Sequence, residues 1–137
     1  MASGFTYFLR DNILDDVFGG DTYTPPTNWH VGLSTTIISE DGTGATEPAD
    51  GYARVEVANN LTNFPASTNG EKSNGTEITF PEATGEWGEV TYFFISDAST
   101  LGNMVAFGQL TIAKVIQTGD TARFQVGDLQ IILGACP

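Results

Sequence analysis

The chain has 137 residues, 40% hydrophobic and 16% charged, so it is long enough for one domain with its own core but well short of the usual ~25% charged residues. Seventeen Asp and Glu against five Lys and Arg give a net charge of −12, which disfavours phosphate backbones and anionic membranes and so argues against nucleic-acid and membrane partners. Sixteen Gly and six Pro, with a polar surface left to Thr, Ser and Asn, point to an all-β protein with many turns.

Residues 4–18 are the one good helix candidate. Phe5, Leu9, Ile13 and Val17 recur at spacing four, and Phe8, Leu14 and Phe18 widen the apolar stripe. Ser3 is the expected cap, Gly19 and Gly20 the expected stop, and Asp11, Asp15 and Asp16 the wet side. The stripe is wide for so short a helix, so it either packs on the rest of the domain or docks on another subunit. The first residues lack the basic, apolar and cleavage regions of a signal peptide. No run of about 18 apolar residues marks a transmembrane helix.

After Pro25 and Pro26, residues 29–38 (WHVGLSTTII) are strand-like, and residues 40–51 form an acidic loop rich in turn formers. Residues 52–57 alternate, with Ala53, Val55 and Val57 on one side and Tyr52, Arg54 and Glu56 on the other. Residues 59–76 read as a long polar loop. Strands follow at 77–80 and 87–97. Within the second, residues 91–95 (TYFFI) are too apolar on both faces for a strand with a wet side and predict a central strand of a packed sheet. Residues 104–110 return as its hairpin partner, 112–116 extend or follow it, and 122–126 and 129–133 are the last two strands. The sum is an all-β, single-domain β-sandwich or jelly roll of seven to eight strands. Residues 1–20 form its N-terminal helical segment and 21–137 the sandwich domain.

Chemistry-bearing residues are sparse. His30 is the one histidine, sits between Trp29 and Val31, and reads as a strand residue because nothing marks a nucleophile or an acid for it. Cys136 is the one cysteine, so no intrachain disulfide and no usual zinc site can form. The acidic residues do not match a calcium loop, and no phosphate-binding glycine loop precedes a helix. Close carboxylate pairs are expected by number alone among seventeen acids, so they do not mark a glycosidase. The expectation is no catalytic, metal or cofactor site. The Asn-x-Thr patterns at Asn60 and Asn74 are read as chance, without a secretory signal.

Nine pieces carry a resemblance: residues 12–20 (NILDDVFGG), 23–26 (YTPP), 31–35 (VGLST), 51–55 (GYARV), 59–65 (NNLTNFP), 72–75 (KSNG), 78–87 (ITFPEATGEW), 97–98 (DA) and 119–121 (GDT). In this order the chain resembles a family of small tailed-bacteriophage virion proteins, often labelled tail-fibre proteins and sometimes placed among capsid decoration proteins. The departures are the acidic loop 40–50 and the Gly-Ala-Cys-Pro end. The resemblance implies a non-enzymatic virion structural protein, assembled in the host bacterial cytoplasm. Its partners would be the major capsid protein or tail proteins, and it would form a homo-oligomer, dimer or trimer.

With no heptads and no shaft repeat, a compact acidic β domain suits a head decoration or cement role, in which binding only the assembled lattice stabilises that lattice. The alternative is a tail-fibre or tail-tip component for host attachment, with loops 40–51 and 59–76 as possible glycan-binding surfaces. Phe5, Phe8, Leu9, Ile13 and Val17 are the expected partner contacts.

Overall fold

The computed structural model describes residues 3–133. Among them, nine strands and one helix follow in the order β1 (Ser3–Phe5), α1 (Tyr7–Gly19), β2 (Asn28–Ser34), β3 (Val55–Ala58), β4 (Glu71–Ser73), β5 (Ile78–Thr79), β6 (Gly88–Ser96), β7 (Met104–Ile116), β8 (Arg123–Phe124) and β9 (Gln130–Ile132). A five-stranded antiparallel sheet in the order β1-β7-β6-β2-β3 is the main layer. Two further ladders, β4-β9 and β5-β8, have two strands each. The domain is therefore all-β with one helix, and its second layer is two short ladders and their loops rather than one continuous sheet.

β6 is the middle strand, as its composition requires. Its side chains alternate between two apolar faces. Ile95 and the half-buried Phe93 join the larger core, with Val31 and Leu33 of β2 and with Phe80, Trp87 and Leu129 from the covering segments. Tyr92 and Phe94 point the other way and pack with Phe107 of β7 and Ile38 of the loop after β2. Loop 35–50 thus covers one face of the sheet, and the two ladders cover the other. A strand buried on both faces cannot alternate polar with apolar, which explains the continuous apolar run.

The helix begins later than its spacing predicts. Residues 3–5 pair with Ala106, Phe107 and Gly108 of β7. Thr6 is buried, its N–H donates to the Val105 carbonyl at 3.0 Å, and its hydroxyl donates to the Met104 carbonyl at 2.6 Å. Sheet pairing therefore holds the chain through Thr6, and the helix can start only at Tyr7. Thr6, not Ser3, stands at the N-cap, without a side-chain capping bond because its hydroxyl is already engaged. At the other end Gly20, at φ 70°, takes the left-handed conformation that stops a helix.

Most strands are shorter than expected, β8 keeping only Arg123–Phe124 of 122–126, and for β2 and β3 the cause is visible. β2 ends at Ser34 because the Ser34 hydroxyl donates to the Thr36 carbonyl at 2.8 Å and accepts the N–H groups of Thr36 and Thr46. β3 begins only at Val55: Ala53 is exposed, and Tyr52 and Arg54 are drawn inward by Glu47. Cys136 and the Gly-Ala-Cys-Pro end lie outside the described residues.

Candidate interaction surfaces

The first surface is the helix. None of its residues is buried. The five expected contact residues divide between two sides. Phe5, in β1, and Leu9 pack against the main core, and Ile13 is half-buried. Phe8 stands at the edge of exposure, edge-on to Tyr23 with ring centroids 6.4 Å apart. Val17 is exposed, and beside it Leu14 and Phe18, which served only to widen the stripe in the sequence, form the outward row. Their exposures are 64%, 55% and 84%. The spacing alone could not say which edge of a wide stripe faces the domain. Pairing of β1 with β7 decides that by setting the angle at which the helix leaves the sheet.

The second region is a knot of side chains under loop 35–50. The Arg54 guanidinium forks onto Glu47, with Nε to Oε1 at 2.9 Å and Nη2 to Oε2 at 3.0 Å. Its remaining nitrogen, Nη1, donates to the carbonyls of Ala98 and Leu101, at 2.7 and 3.0 Å. The same guanidinium lies 5.0 Å from the centre of the Phe94 ring. Tyr52 donates its hydroxyl to Glu47 at 2.7 Å and accepts the Leu33 N–H at 3.0 Å. One arginine thereby ties the acidic loop to the β6–β7 turn. A lone Arg opposite an apolar strand face, in a chain with five cations, was the available signal for this knot.

Burial opposes the charge of Glu47, but the hydrogen bonds from Arg54 and Tyr52 outweigh it and hold the carboxyl below the ordinary glutamate range. Burial, and then the Glu47 carboxylate, push the Tyr52 phenol well upward. A carboxyl whose folded value lies below its unfolded value gives stability that is present above the unfolded value. That stability is lost as the pH falls through the folded value. Urea midpoints should therefore drop as the pH is lowered below about 4, the unfolded glutamate range. Glu47→Gln should drop less over the same interval, and an equal acid dependence in wild type and variant would exclude the knot as the cause. Arg54→Ala should cost about 1–3 kcal/mol at neutral pH, because it strands a half-buried carboxylate.

The second polar loop is also internally fastened. The Asn60 side-chain oxygen accepts the N–H groups of Thr62 and Asn63, at 3.1 and 2.9 Å. Asn74 is buried and fully engaged: Nδ2 donates to the carbonyls of Thr76 and Gln125, and Oδ1 accepts the Leu129 N–H. An amide so enclosed is no acceptor for a glycan, whatever the Asn-Gly-Thr pattern suggests. Of the aromatics near these loops, Tyr23 and Trp29 are half-buried. Trp87 and Tyr92 are buried, and Tyr52 stacks on Phe80 with centroids 6.2 Å apart. His30 sits in β2 as a strand residue, opposite Glu56 and Ser96. Among the described residues, no group of three or more His, Cys, Asp or Glu side chains converges, and no helix is long and apolar enough to cross a membrane.

The third surface is a cleft of about 520 Å³ between the far half of β7 and β8. Thr91 alone separates Val90 from Tyr92 on β6, whereas residues 110–113 separate their partners Lys114 and Gln109 on β7. β7 therefore bulges away from β6 there, and β1 covers it only as far as Gly108. The floor is apolar, with Leu33, Phe80 and Val90, and the rim carries Lys114 and Arg123.

The fold and these surfaces define a small all-β structural domain with an uncovered helix and cleft. A family model described as podophage GP4 fiber I protein gp80 matches residues 4–132. The chain therefore belongs to this family of phage virion structural proteins, which is labelled as a fibre family. No curated protein matches the chain.

Proposed function

We propose that this protein is a non-enzymatic tail-fibre component of a podophage virion and that α1 presents the face by which it is held to a neighbouring virion protein. The observation that carries the reading is the family match, which runs through the helix, the sheet and both ladders and bears a fibre description. The uncovered row of Leu14, Val17 and Phe18 supports a contact role, since exposed apolar side chains clustered on one helix face favour burial against a partner. Of the expected contact residues, Val17 belongs to this row, Phe8 packs edge-on to Tyr23, and Phe5 and Leu9 hold the helix from behind.

Antibodies against the folded domain, applied to intact virions and viewed by electron microscopy, test the location. Label confined to the tail is the expected result. Label distributed over the head would overturn the tail reading in favour of capsid decoration. For the contact face, Phe18→Glu should fold normally, because the ring is almost wholly exposed, yet be incorporated into particles at a reduced level. Wild-type incorporation of this variant would remove α1 as the holding face.

A further inference from the structure

We propose that α1 of one copy seats in the cleft between β7 and β8 of a second copy. Its apolar row would be buried there, with Asp11 and Asp15 set against Lys114 and Arg123. This occupancy rests on α1 being the contact face and names what it contacts.

Shape and apolar content match on the two sides. Tyr7, Leu14 and Phe18 are separated by seven and four residues and so share one helix face, with Val17 beside them. An amphipathic helix laid into an apolar groove is a recurring mode of association. The groove here is already apolar to its floor, and the exposed Ile112 of β7 lines it. The helix cannot fill the cleft of its own chain. The N–H of Tyr7 is bound to the Glu40 carbonyl and that of Thr6 to the Val105 carbonyl, and Arg10 is paired with Glu40 at 2.8 Å. Those ties fix α1 with its row in solvent.

Charge selects the same pairing. At −12 per chain, two copies repel unless an acidic surface of one meets cations of the other. Three of the five cations are engaged within the chain: Arg10 with Glu40, Arg54 with Glu47, and Lys72 with the Phe64 carbonyl. The remaining two are Lys114 and Arg123. Among the described residues Lys114 has no ion pair, and Arg123 has only Glu77 at 3.9 Å. Both line this cleft, whose wall also carries Asp128, one oxygen of which accepts the Gln125 N–H at 3.1 Å. Asp11 and Asp15 lie on the exposed side of the helix and are the first acids that a cleft closing over Leu14 would meet.

Each copy thus contributes a helix and a cleft, which are different patches. Such contacts propagate until the copies close into a ring. Sedimentation of the full chain tests this. Wild type should form a multimer; Phe18→Glu should weaken association by at least about thirtyfold, the loss expected for a central contact, and Lys114→Glu should weaken it by reversing a rim charge against the helix acids. Both positions are exposed, so unchanged melting is the control for folding. An equimolar mixture of the two variants should associate again, because one retains the cleft and the other the helix. A monomeric wild type, variants that remain multimeric, or a mixture that stays monomeric would each overturn the proposal. If Phe18→Glu is lost from virions while purified wild type is monomeric, α1 still holds the protein in the particle and only the second copy as its occupant is refuted.

Discussion

Asn74→Asp should lower the stability of the domain by about 3–5 kcal/mol at neutral pH. The substitution changes one atom, yet it removes both donors that Asn74 gives to the Thr76 and Gln125 carbonyls, at 2.8 and 2.9 Å. Two buried carbonyls then face a carboxylate instead of an amide. The bond from the Leu129 N–H survives, since that oxygen remains an acceptor. The cost is large because loop 59–76 reaches the β8–β9 region through this side chain, whose backbone also exchanges a bond with the Leu129 carbonyl. Acid should partly restore the variant. A buried, unpaired carboxyl titrates above its unfolded value of about 3.9, so the charge part of the penalty vanishes below that value and grows as the pH rises toward the folded one, while one of the two carbonyls stays without a donor at any pH. The wild-type knot at Glu47 has the opposite dependence. Urea melts of both proteins across this range separate the two effects, and a variant whose deficit is independent of pH would show that Asn74 is not sealed from solvent.

Gly32→Ala should destabilise by about 2–3 kcal/mol, although the rule for strand interiors predicts a gain of about 0.5–1 kcal/mol when Gly becomes Ala. Packing outweighs propensity here because a methyl on Gly32 would overlap the Phe94 ring itself. That ring is buried, and the Arg54 guanidinium, anchored on Glu47, lies against it, so it has little room to yield. Gly108 stands in the same relation to Phe93 on the other face. Shortening the ring should relieve the clash: Phe94→Leu and Gly32→Ala together should cost clearly less than the sum of the two alone. Additive losses in denaturant melts would mean that the ring and the glycine do not interact.

The elements that depend on short-range pattern were legible in the residues. Continuous apolar character placed 91–95 in the middle of a sheet, because only a strand covered on both faces tolerates it. Gly20 marked the end of the helix, because its left-handed turn needs no partner. The return of 104–110 beside β6 followed from the turn before it, and the continuation through 112–116 as one strand is the first of the two alternatives the residues left open. The helix start was not legible: Phe5 fits the helical spacing, and only the carbonyls of Met104 and Val105, about a hundred residues away, claim Thr6 for the sheet.

The surfaces follow the same division. The residues by themselves determined that this is an all-β domain with one N-terminal helix and a net charge of −12, and their ordered pieces carry the resemblance to phage virion proteins that the family match bears out. These properties reside in composition and local spacing, which exist before the chain folds. Only the tertiary structure decided that Leu14, Val17 and Phe18 face outward while Phe5 and Leu9 face in. It likewise decided that Arg54 joins two loops rather than decorating a strand, and that Lys114 and Arg123 share one cleft. Each depends on groups far apart in sequence meeting at hydrogen-bond or packing distance, and no local pattern records where such groups will meet.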